Sequence, residues 1–205
     1  MNPLMRKTLI VLGAALVAAA AILGVPRFAR PMAASSTPAP VETPREQLVR
    51  RDGQWWIRDG EKPFTGILVE TYDNGFLKSR SAVTNGLLEG RSEGWYPDGQ
   101  QQVVELFRHG TSHGPRQKWY PNGRILSEST IADGRIEGVF QRWHENGVLA
   151  ERMEMKAGVP DGLCVAFHPS GCRKSETRLR QGEVVEQRYW QDGEAPPPLD
   201  VAAKF

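Results

Sequence analysis

Cysteine is nearly absent. Only Cys164 and Cys172 occur in 205 residues, and none precedes Cys164, which excludes lipidation of an N-terminal cysteine. Charge of one sign is also missing. The formal net charge is +2, so no strong field favours nucleic acid. No basic stripe with interleaved aromatics runs along the chain. The signatures of common catalytic folds are missing too: there is no G-x-S-x-G, no H-E-x-x-H and no Walker glycine loop. Long helices are excluded by the abundance of one residue, because glycine returns too often for any helix of useful length.

Glycine is what the sequence has, and its placement is periodic. Gly66, Gly90, Gly114, Gly138 and Gly162 are spaced 24 residues apart. Gly75, Gly99, Gly123, Gly147 and Gly171 keep the same step, as do Gly86, Gly110, Gly134, Gly158 and Gly182. Columns in phase over this many units mark a stacked repeat array. Trp95, Trp119, Trp143 and Phe167 share one position. Tyr72, Tyr96 and Tyr120 share the next, where His144 and His168 later stand.

Each unit reads as a β-hairpin plus a connecting turn. The phrases "YDNG", "YPDG" and "YPNG" carry turn chemistry, with Asn or Asp before a Gly that supplies φ > 0. A type I turn followed by a left-handed Gly fits a hairpin with a bulge. The flanks, such as "RQKWY" and "RILSEST", are short and strand-like. A second turn lies in "TNGLLEG", "ADGRIEG" and "KAGVPDG". Successive hairpins add strands to one elongated, twisted sheet, so the fold class is all-β.

The organisation follows. Residues 1–30 are a signal anchor or signal peptide, and 31–50 a disordered Pro/Ala/Ser/Thr tether. The array spans 51–193. A cap at 51–65 precedes repeats at 66–89, 90–113, 114–137, 138–161 and 162–185 and a degenerate unit at 186–193, which aligns after a deletion of two residues. A tail follows at 194–205, where "EAPPPLD" stops the sheet because proline cannot continue a ladder.

The unit G-x4-[WY]-Y-x-[ND]-G-x-L, followed by x-N/D-G-x-x-x-G, resembles the MORN repeat. It resembles more closely the bacterial variant in proteins of the YwqK antitoxin type, whose entry segment "DGQWWIRDGEKPFTG" also resembles. The resemblance covers residues 51–193. It implies the fold, and a role as scaffold, membrane-associated module or partner-binding arm.

The start of the chain points to the envelope. Arg6 and Lys7 precede an uncharged stretch from Thr8 to Val25. That is at the short end for a spanning helix and longer than a usual signal-peptide core. The segment is either an uncleaved anchor or a cleaved signal. In both readings the array lies outside the cytoplasm, tethered to the inner membrane or exported to the periplasm.

Candidate chemistry is sparse. His109 and His113 flank a turn glycine, so helical metal-ligand spacing does not apply. His144 and His168 stand one unit apart, about 10 Å across two strands, too far to share one zinc. Cys164 and Cys172 lie on opposite arms of one hairpin, offset by roughly 13 Å, which argues against a disulfide. Glu137, Glu145 and Glu151 are near one another in sequence, but a single-layer sheet offers no obvious pocket for paired-carboxylate hydrolysis. No enzyme, cofactor or metal site is expected.

The candidate interaction surface is aromatic: Trp95, Trp119, Trp143 and Phe167 on one face, with Tyr72, Tyr96 and Tyr120 on the other. Either both columns stack between rungs as structure, or one stays partly exposed and binds a partner. The expected function is a non-catalytic protein-interaction module in the bacterial envelope. The alternatives are an antitoxin or immunity-like protein that neutralises one partner, and direct binding of lipid or cell-wall glycan. An imperfectly capped sheet can also pair edge to edge, which puts a homodimer within reach.

Overall fold

Two kinds of tight turn fold this chain, and they alternate. At Asn85-Gly86, His109-Gly110, Asp133-Gly134, Ala157-Gly158 and Gln181-Gly182 both central residues have positive φ, near 50° and then near 80°. That is the type I′ geometry, whose twist matches the twist of the strands it joins. The other turns are longer. In the first, the Gly75 amide bonds to the Tyr72 carbonyl and the Tyr72 amide to the Phe76 carbonyl, with Gly75 at φ +83°. The same pair of bonds closes the turns at Tyr96, Tyr120, His144 and His168. Asn74, Asp98, Asn122 and Asn146 each accept the backbone N–H two residues on, which holds the turn open at the right width.

The computed structural model describes residues 40–194. The anchor or signal segment at 1–30, residues 31–39 of the tether and the tail beyond Glu194 lie outside the described residues. The strands, in chain order, are β1 (Glu42–Pro44), β2 (Leu48–Arg51), β3 (Gln54–Ile57), β4 (Gly66–Thr71), β5 (Leu77–Thr84), β6 (Leu87–Trp95), β7 (Gln101–Arg108), β8 (Thr111–Ser112), β9 (Gly114–Trp119), β10 (Ile125–Ala132), β11 (Arg135–Trp143), β12 (Leu149–Lys156), β13 (Val159–Pro160), β14 (Gly162–Phe167), β15 (Arg173–Arg180) and β16 (Glu183–Tyr189). From β4 onward the strands pair antiparallel in chain order, with β7 joined to β9 and β12 to β14. β1, β4–β16 form one 14-stranded sheet, in which β8 and β13 are short continuations that pair with β7 and β12. Among the described residues there is no α-helix, so none is long and apolar enough to cross a membrane.

The ladder shifts register twice per unit, by one residue beside each long turn and by two at the glycine column that includes Gly90. Val83 pairs with Leu88 and Ser81 with Ser92, so two extra residues are absorbed around Gly90, at φ +92°. Ile131–Ile136 and Glu128–Gln141 repeat the pattern around Gly138. This is why one glycine column is obligatory: the bulge needs a left-handed residue.

Residues 42–50, read from the sequence as part of the tether, are built into the fold instead. β1 adds a parallel strand beside β4, with Glu42 opposite Ile67 and Pro44 opposite Val69. A single 3-10 turn, Arg45–Gln47, then leads into the β2–β3 hairpin. Proline is tolerated here because β1 is an edge strand, three residues long.

The main core lies under this N-terminal hairpin. Leu48, Phe64, Leu68 and Val83 form a buried cluster, with Trp55 and Leu88 packed against it. The Trp55 amide bonds to Gly86 O, the Gly86 amide to Phe64 O, and the Phe64 amide to Trp55 O. The cap is thereby sewn to the first type I′ turn. Further along the array, Ile131 and Ala150 are the buried apolar side chains among the described residues.

Candidate interaction surface

The tyrosine column joins one unit to the next. Tyr72 Oη donates to Trp95 O at 2.8 Å, Tyr96 Oη to Trp119 O at 2.9 Å, and Tyr120 Oη to Trp143 O at 2.8 Å. The two histidines of the column do the same work. His144 Nε2 lies 2.9 Å from Phe167 O, and His168 Nε2 3.0 Å from Trp190 O. A carbonyl only accepts, so Nε2 carries the proton in both rings. Each side chain reaches from the turn of its own unit to the end of a strand in the next. The residue type can change from phenol to imidazole because the requirement is a donor at one place.

A second set of bonds runs beside the first. Asn74 Nδ2 donates to Pro97 O at 2.9 Å, Asn122 Nδ2 to Glu145 O at 3.4 Å, and Asn146 Nδ2 to Pro169 O at 2.7 Å. In the last full unit Ser170 Oγ bonds to the Asp192 carboxylate. Asn therefore serves twice, its oxygen closing its own turn and its nitrogen reaching the neighbour.

The opposite margin of the sheet is stitched through the type I′ turns. The amides of Gly86, Gly110, Gly134, Gly158 and Gly182 bond to the carbonyls of Phe64, Leu88, Ser112, Ile136 and Pro160. Glu89 Oε2 accepts the His109 amide and Glu137 Oε2 the Ala157 amide, each at 2.6 Å, and Thr65 Oγ1 accepts the Asn85 amide. Both margins of the array are thus cross-linked by groups that recur with the period.

This arrangement sets the place of each residue singled out from the sequence. Trp95, Trp119, Trp143, Phe167, Tyr72, Tyr96 and Tyr120 are all half-buried. The three tyrosine hydroxyls are committed to the inter-unit bonds. Replacing Tyr120 by Phe is expected to lower stability by about 1 kcal/mol, the value of one such bond, whereas Tyr120→His should lose much less. Urea unfolding of the two variants checks this. Equal losses for Phe and His would remove the hydroxyl bond from the account.

His109 occupies the first central position of a type I′ turn at φ +49°. The His113 amide bonds to Leu106 O. Among the described residues no group of three or more His, Cys, Asp or Glu side chains is arranged to hold a metal ion. The acidic trio is dispersed into local roles. Glu137 caps a turn, Glu145 lends its carbonyl to Arg124 Nη1, and Glu151 pairs with Arg142 at 3.1 Å.

Both cysteines are free thiols. Cys164 stands opposite Thr177, while the Cys172 carbonyl accepts the His168 amide at the turn. Burial pushes the Cys164 thiol up to about 11, and the Glu151 carboxylate 3.7 Å from its sulfur adds to the effect. At pH 8 the thiolate fraction of Cys164 is then far below that of an ordinary thiol. Iodoacetamide should leave Cys164 unmodified in the folded protein at that pH and label it once the protein unfolds, as read by peptide mass. Fast labelling in the folded state would contradict the packing seen here.

The large apolar side chains that do face solvent lie elsewhere, and periodicity gave no hint of them. Phe76 projects from the first long turn. Val184, Val185 and Tyr189 lie on β16. Val41 and Ile57 line an open cleft of about 520 Å³ at the cap, together with Thr43, Lys62, Pro63 and Phe64. Val139 and Val159 are also exposed in the middle of the array, but the most exposed of these side chains stand near its two ends.

The degenerate unit also differs from its expected alignment. Trp190 O receives the His168 ring nitrogen, which places Trp190 in the tryptophan column and not in the tyrosine column. The alignment then needs one deleted residue instead of two. The register agrees: Leu179 pairs with Val184 and Arg178 with Glu186, so this bulge absorbs one extra residue where the interior bulges absorb two.

Residues 112–133 and 136–157 match the family described as MORN repeat variant. These spans hold β9, β10, β12 and all but the first residue of β11, with the bonds around Tyr120 and His144. The units before and after them carry the same turns and the same inter-unit bonds. The chain carries MORN-variant repeats. No curated protein matches it.

Proposed function

We propose that this MORN-variant chain is a non-catalytic interaction module of the bacterial envelope, which its N-terminal segment tethers to the inner membrane or exports. Its repeat surface binds one protein partner. The observation that carries this reading is the division of labour within the unit. Positions that recur hold the units together: the turn glycines, the Tyr/His donors and the Asn side chains. Positions that vary lie on the sheet between them. Arg91, Pro115, Val139 and Leu163 occupy one such column, and the first three of them are exposed. A scaffold of constant geometry with a changing row of side chains suits recognition of one extended partner surface. It supplies no converging set of reactive groups.

The test is crosslinking in the native envelope followed by purification of the full chain. A single stoichiometric protein partner is the expected result. Toxicity of that partner when expressed alone would move the reading to an antitoxin or immunity role. Recovery of lipid or wall fragments alone would overturn both.

A further inference from the structure

The two ends of the sheet are finished differently. At the N-terminal end the outermost strand is β1, three residues long and closed by Pro44, with the β2–β3 hairpin beside it. Short edges and proline are the usual means of blunting a sheet. At the C-terminal end the outermost strand is β16, and every one of its seven residues is exposed. It presents Val184 at 57 %, Val185 at 60 % and Tyr189 at 67 % exposure, and its second ladder edge faces no strand of the described residues.

The sequence of this edge is complementary to itself. Laid antiparallel about Gln187, it sets Glu186 against Arg188, Val185 against Tyr189 and Val184 against Trp190, each pair twice, with Gln187 opposite its own copy. The charge pattern is one that the fold already uses. On the inner side of β16, Glu176 pairs with Arg188 and Arg178 with Glu186. β15 therefore offers β16 a Glu and an Arg two residues apart, in antiparallel order. A second β16 offers the same. Glu186 and Arg188, now 2.6 Å apart within one strand, would join a four-charge cluster with their copies. Opposite charges and aromatic–aliphatic pairs across an antiparallel ladder are the favourable combinations.

The backbone is set for it. The Trp190 amide bonds inward to Lys174 O. Alternation then turns the N–H and C=O of Gln187 and Tyr189 outward. The smaller bulge of this last unit leaves Glu186–Tyr189 in regular register with β15.

We infer that β16 is a homodimerisation edge, where a second copy of this chain adds its own β16 antiparallel about Gln187. The two sheets become one. Because the opposite end is blunted, the contact is isologous and closes at two copies instead of growing into a filament. The inference is independent of the partner proposed above.

Gln187 is the one position that faces itself, so it gives a selective test. The full chain in detergent, with Cys164→Ser and Cys172→Ser, should form a disulfide-linked dimer on mild oxidation when it carries Gln187→Cys. The Cα atoms of a directly opposed pair stand about 5 Å apart, within disulfide range. Arg188→Cys in the same background should crosslink far less, since residue 188 faces 186. Gln187→Pro, which removes an outward N–H, should weaken the sedimentation dimer at least tenfold, whereas Gln187→Ala, which loses the same side-chain bond to Thr177 Oγ1 but keeps that N–H, should weaken it much less. A monomeric full chain overturns the inference, as does a dimer that Gln187→Pro leaves intact. If deleting residues 199–205 alone turns a monomer into a dimer, the chain's own tail covers the edge, which likewise overturns it.

Discussion

Replacing Leu48 by alanine is expected to destabilise the protein by roughly 2–5 kcal/mol, the range for a buried leucine whose cavity cannot collapse. Leu48 is only 1 % exposed and sits in the cluster with Phe64, Leu68 and Val83. In a sheet one layer thick, few positions are buried on all sides, and the loss is concentrated where they are. The effect should also be regional. In a stacked array each unit touches only its neighbours, so stability is a sum of local terms. Loss of Leu48 loosens the hairpin that covers β4 and β5, and hydrogen exchange should rise first at Trp55 and Gly86, whose amides bind the cap to the array. Exchange by mass spectrometry alongside urea unfolding measures both. A loss below ~1 kcal/mol, or exchange that rises first at β15 and β16, would mean that the cap is not the stable end.

Gly86→Ala should be the most damaging of the turn substitutions, and Gly147→Ala among the mildest. Both residues have positive φ, +78° and +90°. Forcing alanine into that region costs roughly 1–2 kcal/mol by itself. The difference lies in the surroundings. A Cβ on Gly147 would meet open space, whereas one on Gly86 would stand 2.7 Å from Gln54 Cβ and 2.9 Å from Trp55 O. Those atoms belong to the cap, which bonds to Gly86 through both its amide and its carbonyl. The turn and the cap cannot both keep their places. Expected losses are therefore ~1–2 kcal/mol for Gly147→Ala and ~3 kcal/mol or more for Gly86→Ala, since overpacking adds to backbone strain. Thermal unfolding of the pair decides it. Equal losses would show that the cap yields without cost.

Particular residues show how far the sequence could be read. Asn74-Gly75 and Asn85-Gly86 specify their turns locally, and Gly90 specifies its bulge, because φ > 0 and side-chain-to-backbone bonds act within a few residues. Hairpin, period and a single all-β sheet follow from those alone. The tyrosine column was visible as a pattern, but its purpose was not. Tyr72 Oη meets Trp95 O, a partner 23 residues away that comes into reach only when two units pair.

The ends carry the same lesson more strongly. Glu42–Pro44 has no period and a composition that reads as tether, yet it pairs with β4 because that edge is unfilled. Trp190 falls in its column only when the bulge is seen to absorb one residue fewer. The sequence left the aromatic columns open as stacked structure or as a partly exposed surface. Only the fold shows them half-buried, with the tyrosine hydroxyls tied between units, and shows Phe76, Val184, Val185 and Tyr189 more exposed than they are. Turn chemistry is a short-range property and was determined by the sequence by itself. Which edge is covered, which donor meets which carbonyl and which side chain remains in water depend on neighbours a full unit or more away, and only the tertiary structure decided them.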